Sequence, residues 1–295
     1  MNKRNLSILV WSVTLLVSVL PSILAKEIFG ASLPWLYWAQ VALLAVSLTA
    51  ALLLKPIRPL WMYFTVLLGL YLAEWFFHEV VGALPAWTGV FVTAKFTDGM
   101  LGSQLLRLAV ALTMLLLMFL LKRRPAAFFL VKGNLSAEAA PIPLLMSKPS
   151  RWSKLGWILA LCISGGTLLF LVLAGRPSAE TLLRALPLLP AVLGLAAMNS
   201  FSEETSYRAA PLASLHTVIG PQQARLVTAA FFGIGHYYGV PYGIVGVLMA
   251  GFLGWLLGKA MLETKGFAWA WFIHFLQDVL IFSFMAIGSV MAGGG

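Results

Sequence analysis

The chain has 295 residues, of which 61% are hydrophobic and only 10% charged, and its mean hydropathy is +0.93. Water-soluble globules carry about one quarter charged residues, so that class is excluded and a polytopic membrane protein is indicated. The formal net charge of +10 does not point to nucleic acid, because the basic residues form short clusters beside apolar runs, as in the inner loops of membrane proteins.

Apolar segments of about 20 residues recur, each long enough for a hydrocarbon core of roughly 30 Å. They lack the period-2 alternation of barrel strands, so helices are the spanning form. The fold class is therefore all-α, a polytopic transmembrane bundle of about eight or nine spans. Cys162 is the only cysteine, which rules out an intramolecular disulfide and argues against a thiolate metal site.

Lys3 and Arg4 precede a first apolar run, Leu6 to Ala25, which is longer than a usual signal h-region and reads as a retained span. Trp35 to Leu54 is the second span, and Lys55-Pro56-Ile57-Arg58-Pro59 a basic connection that breaks helices. Leu60 to Phe77 is the third and ends in Glu74, His78 and Glu79, read as an interfacial helix end. Val80 to Gly102 has the composition of an interfacial or partly re-entrant loop, and Leu105 to Leu121 is the fourth span.

From Lys122 to Lys154 prolines alternate with basic residues, the composition of a cytoplasmic linker. It divides the chain into an N-terminal accessory membrane region, 1–154, and a core, 155–295. Leu155 to Ala174 is a fifth span. Leu186 onward is a sixth, whose helix continues to about Leu215 with Pro211 as its one interruption. Gln222 to Tyr238 is a short seventh; Tyr242 to Leu257 an eighth, with Gly246, Ala250, Gly254 and Gly258 repeating every four residues so that a neighbour can approach closely. Phe267 to about Ile287 is the ninth, and Gly293-Gly294-Gly295 a frayed end. With the N-terminus inside, the inner segments hold Lys3, Arg4, Lys55, Arg58, the linker cluster, Arg208, Arg225, Lys259 and Lys265. Lys26, Lys95, Arg107, Arg176 and Arg184 fall outside. This asymmetry predicts a multi-pass protein of the cell membrane with a cytoplasmic N-terminus.

The sixth span carries Ser202-Glu203-Glu204-Thr205-Ser206-Tyr207-Arg208. Charge inside a membrane costs several kcal/mol and usually faces a polar interior. At helical spacing Glu204 and Arg208 pair on one face, whereas Glu203 lies in a separate polar stripe with Asn199, Ser206 and Tyr207. One carboxylate is thereby neutralised and the other left free. At about 1.5 Å per residue, His236 lies roughly 16 Å beyond Arg225, His274 roughly 13 Å beyond Lys265, and Glu203 up to about 20 Å before His216. Three spans thus bring ionisable groups to a similar depth, and Tyr237-Tyr238-Gly239-Val240-Pro241 after His236 implies irregular backbone there, which only protein or a wet pocket can satisfy.

Glu203-Glu204-Thr205-Ser206-Tyr207-Arg208 fits an EExxxR motif, Phe232 to His236 an FxxxH motif and His274 to Asp278 an HxxxN/D motif. In this order they resemble the CPBP (also called ABI) intramembrane glutamate proteases, which include the type II CAAX prenyl endopeptidases. The resemblance covers roughly Leu186 to Ile287. It implies that Glu203 and His236 activate a water to attack a peptide carbonyl while His274 and Asp278 stabilise the oxyanion, with Glu204, Arg208 and Phe232 in support and with neither cofactor nor metal. Where the family motif has asparagine this chain has Asp278, and an ionised carboxylate cannot donate to an oxyanion. The partners implied are the lipid bilayer and a protein or peptide substrate, membrane-associated or lipid-modified. The same residues also admit a zinc site, a transporter or proton relay, and a non-catalytic immunity or assembly factor.

Overall fold

The computed structural model describes residues 1–93, 95–121, 123–142 and 145–292. Lys122 and Pro143 of the linker, and the glycines 293–295 expected to fray, lie outside these residues. The chain is a bundle of α1 (Lys3–Val17), α2 (Leu20–Phe29), α3 (Trp35–Leu53), α4 (Trp61–Trp75), α5 (Pro85–Phe91), α6 (Phe96–Leu120), α7 (Trp152–Gly175), α8 (Ala179–Ala185), α9 (Leu189–Glu203), α10 (Ala210–Leu215), α11 (Pro221–Gly235), α12 (Ile244–Thr264) and α13 (Ala268–Met291). The all-α class holds. Among the described residues seven helical stretches are long and apolar enough to cross a membrane, and the pair α1 and α2, bent by 52°, makes an eighth. The remaining expected segment, the short seventh, is α11, a helix of 15 residues, which is short for a span.

Two connections differ from the expected ones. The first apolar run is not one rod: Ser18 leaves the helix in extended conformation, its hydroxyl bonds the Leu15 carbonyl, and Pro21 opens α2. The stretch after α4 is helical, with a π-helical turn at Phe76–Val81, the short α5, and α6 starting at Phe96. Because α6 begins so early, Arg107 lies near its middle and not in an outer loop. Gly102 permits this by packing against Phe91, where an added Cβ would lie 2.5 Å from the Phe91 Cβ.

The linker is tied down. Its two-residue strands Glu138–Ala139 and Ser150–Arg151 pair antiparallel. Asn134 N donates to Thr264 O at 2.8 Å and Phe267 N to Val131 O at 2.8 Å, which docks the linker on the turn between α12 and α13. Gly133, at φ +76°, lies so close to Gly266 that a Cβ would meet backbone at 2.7 Å. Linker and turn therefore share one end of the bundle. One apolar core, including Leu67 of α4, Met114 of α6, Trp152 of α7, Leu212 of α10, Met261 of α12 and Ile273 of α13, runs through both halves of the chain.

Candidate active site

The sixth span forms one helical stretch from Ala179 to Leu215, but its pitch changes where the charges are. Glu204–Ala209 is π-helical, and Ala210 N–H bonds the Thr205 carbonyl five residues back. Pro211 follows at once. A proline has no N–H and crowds the carbonyl four residues before it, so the wider turn absorbs what would otherwise be a kink. It also concentrates polar groups on one level.

Glu204 and Arg208 are both fully buried and form an ion pair through Arg208 Nη1. Glu204 Oε1 accepts a second hydrogen bond from His274 Nδ1 at 2.7 Å, which joins α13 to this turn. A guanidinium has no acceptor and a carboxylate no donor, so the pairing offsets part of the desolvation cost of each, while Arg208 Nε and Nη2 are buried without a protein hydrogen-bond partner. The Phe232 ring lies under Arg208, 4.7 Å from centroid to Cζ, as a cation–π contact. Buried polar atoms without a protein hydrogen-bond partner gather here too: Ser202 Oγ, Thr205 Oγ1, Ser206 Oγ and Glu204 Oε2.

Glu203 is not the free carboxylate that helical spacing suggests. Arg107 Nη1 of α6 donates to its Oε1 at 2.7 Å. Its Oε2 lies 3.7 Å from His274 Nε2, and Asp278 Oδ1 lies 3.6 Å from the same nitrogen, both longer than a direct hydrogen bond. Since Nδ1–H of His274 is committed to Glu204, Nε2 is the nitrogen turned toward the other two carboxylates. Asn199 Nδ2, one turn before Glu203, donates to Asp278 Oδ2 at 3.1 Å. Asp278 is thus held by an amide on one oxygen and turned to His274 with the other.

His236 ends α11. Its Nδ1 lies 2.8 Å from the Phe232 carbonyl, and a carbonyl only accepts, so Nδ1 carries a proton; in the neutral ring Nε2 is then the nitrogen with the lone pair. Phe232 packs on both histidines, with ring centroids 4.4 Å from His236 and 6.0 Å from His274. The small-residue ladder of α12 makes room for this arrangement. Gly254 faces Arg208 Nη2, where a Cβ would come to 3.0 Å, and a Cβ on Gly233 of α11 would meet the backbone of Gly251 at 2.8 Å. The loop after His236 is fastened from α2: Tyr242 Oη donates to Glu27 Oε1 at 2.7 Å and Lys26 lies over the Tyr238 ring. This hydrogen bond, with some desolvation, pushes the Tyr242 phenol up to about 12.

The structure therefore brings Glu203, Glu204, Arg208, His274 and Asp278 into one contact network, with Phe232 joining His236 to it. Among the described residues no three histidine, cysteine, aspartate or glutamate side chains are placed to hold a metal ion. Sequence reasoning missed Arg107, because a lone arginine at the start of an apolar run looks like an interfacial charge. It also read Glu74 as an interfacial residue, whereas Tyr207 Oη donates to Glu74 across the bundle.

Residues 185–280 match the family model of the type II CAAX prenyl endopeptidases, Rce1-like. No curated protein and no solved structure matches the chain.

Proposed function

We propose that the chain, whose residues 185–280 match the Rce1-like family model, is an intramembrane endopeptidase that hydrolyses a peptide bond of a membrane-associated or lipid-modified protein or peptide. The observation that carries the reading is the meeting of Glu203, His274 and Asp278 from α9 and α13, with Glu204 and Arg208 buried behind them. Glu203 and His236 activate the attacking water: Glu203 takes its proton and passes it to the leaving amine, while Nε2 of the neutral His236 ring accepts a hydrogen bond from the same water. His274, held at Nδ1 by Glu204, presents Nε2–H to the developing oxyanion, and Asp278 orients that ring. Phe232 limits the hydration of both histidines. The groups act without a metal. We place the N-terminus and the linker on the cytoplasmic side of the cell membrane, residues 1–154 as an accessory region and 155–295 as the protease core.

The test uses the purified protein in lipid nanodiscs and a fluorogenic farnesylated peptide. Glu203→Gln and His236→Ala should each lower the rate by about 10²-fold or more, since an amide cannot take a proton, while both variants still insert and fold. Activity should survive strong chelation. Undiminished cleavage by Glu203→Gln would remove the proposed base, and loss on chelation with recovery on adding zinc would overturn the metal-free part.

A further inference from the structure

The linker and the start of α7 enclose a cavity of about 640 Å³, apart from the site described above. Its walls are fixed by backbone. Trp152 N donates to the Ala137 carbonyl at 2.9 Å, Glu138 and Ala139 pair with Arg151 and Ser150, and Asn134 Oδ1 accepts from Ser136 N at 3.0 Å. Trp152 Nε1 donates to Glu263 Oε2 at 2.8 Å and Trp269 Nε1 to the Leu135 carbonyl at 3.0 Å, so α12 and α13 both anchor it. The lining includes Arg151, Lys154, Ser136, Ser150, Ser153 and one acid, Glu138. Lys259, at the same end of the bundle, is paired with Glu263. Among the described residues the side chains of Arg151 and Lys154 have no ion-pair or hydrogen-bond partner, although Glu138 is the neighbour of Arg151 across the two strands. Two free cations among hydroxyls make a preformed place for an anion with several oxygen acceptors.

The length of α7 sets the level of this cavity. Its 24 residues span about 36 Å at 1.5 Å per residue, against a hydrocarbon core of roughly 30 Å, so its first residues stand about 3 Å beyond the core, among the headgroups. From there one face of the helix is exposed: Ser153 and Lys154 are followed at helical spacing by Trp157, Ile158 and Leu161. The Trp157 ring packs edge-on against Trp269 and Phe272, which fixes an indole one turn below Lys154, where aromatic side chains mark a membrane interface. A polar socket thus runs into a lipid-facing apolar stripe. A soluble phosphate would use only the socket, whereas a phospholipid uses both. We propose that the cavity binds the headgroup of an anionic phospholipid, with its phosphodiester between Arg151 and Lys154 and its acyl chains along Trp157, Ile158 and Leu161. A phosphodiester carries one negative charge, and two cations against Glu138 leave one positive charge to meet it. Glu138 accepts from a headgroup hydroxyl, so a glycerol headgroup fits, whereas a quaternary ammonium headgroup has no donor to offer. By the charge rule this end faces the cytoplasm, where basic residues attract the anionic lipids of the leaflet. The lining residues lie outside the stretch 185–280 and none belongs to the Glu203–His274 network, so the site stands apart from the hydrolytic reading.

The experiment titrates the full-length protein in dodecyl maltoside with dioleoyl phosphatidylglycerol and, separately, with dioleoyl phosphatidylcholine, and counts bound lipid by native mass spectrometry. The wild type should take one phosphatidylglycerol about 10- to 30-fold more tightly than phosphatidylcholine, the scale of two basic contacts to a phosphate at a membrane surface. Arg151→Gln combined with Lys154→Gln should remove that preference, whereas Lys55→Gln combined with Arg58→Gln, which takes the same charge from another inner loop, should keep it. Ser153→Phe fills the cavity without altering charge and should also abolish the tight site, which separates a socket from diffuse attraction. All five of these side chains are exposed, so the variants fold as the wild type does. Glycerol 3-phosphate at millimolar concentration should leave the bound lipid in place; if it displaces the lipid, the cavity belongs to a soluble phosphate and the lipid assignment falls. Equal binding of the two lipids by the wild type, a preference that survives the loss of Arg151 and Lys154 or the filling by Ser153→Phe, or a preference lost equally in the control pair overturns the proposal.

Discussion

His274 Nδ1 lies 2.7 Å from Glu204 Oε1, so the histidine of α13 hangs on the carboxylate that Arg208 neutralises. Glu204 and Arg208 are fully buried, and removing one partner of such a pair leaves an unpaired charge at a cost of about 3 to 5 kcal/mol. Arg208→Ala should therefore lower the thermal midpoint in detergent, followed by tryptophan fluorescence, and should slow cleavage as His274 loses its anchor. A variant with wild-type stability and a purely kinetic defect would show that the pair is not structural.

Gly233 and Gly251 let α11 and α12 touch backbone to backbone, and α11 is what carries Phe232 and His236 into the site. Alanine at Gly233 would put a methyl 2.7 Å from the Val247 carbonyl oxygen and 2.8 Å from Gly251 Cα, and no rotamer change relieves a backbone contact. Gly233→Ala should destabilise by about 1 to 3 kcal/mol, the usual range for overpacking, and displace His236. Gly194→Ala, with open space at its Cβ position, is the control and should behave as wild type in both assays.

Much of this is legible in the amino-acid sequence. The span pattern follows from apolar length, and Glu204 with Arg208 follows from four-residue spacing, because both are local rules of a helix. Arg107 was not legible: its partner is 96 residues away, and one cation among leucines carries no sign of what faces it. Nor was the π-helical turn, since proline at 211 announces a disturbed helix without saying whether the chain will kink, break or widen. The ladder on α12 did announce close approach, but that Gly254 serves Arg208 and Phe232 is a matter of packing between helices.

The arrangement of the two ends predicts labelling from opposite sides. Val131 and Asn134 of the linker are bonded to the turn between α12 and α13, which puts the basic residues of both at one end of the bundle, the inner end by the charge rule. In a Cys162→Ala background, Ser136→Cys should react with an impermeant maleimide only in inverted vesicles and Ser178→Cys only in right-side-out ones. Labelling of both from the same side would overturn the topology.

Asp278 takes the place of an asparagine in the HxxxN/D pattern, and its surroundings separate two roles. Asn199 donates to Oδ2, so that oxygen acts as an acceptor, and Oδ1 faces His274 Nε2 at 3.6 Å. If Asp278 orients the ring as an acceptor, Asp278→Asn must choose: its amide oxygen can satisfy Asn199 or serve His274, not both, and its NH2 presents donors to a nitrogen that also needs to donate. The variant should then lose about 10-fold or more in kcat at neutral pH with KM little changed, because the oxyanion donor is misplaced only when charge develops. Adding Asn199→Ala should restore part of the rate by freeing the amide oxygen for His274. If instead Asp278 itself donates to the oxyanion as an acid, asparagine supplies a permanent donor of the same shape and the rate survives. Steady-state kinetics on the two variants decide it: a single variant as fast as wild type would refute the orienting role, and a slow single variant improved by the second change would support it.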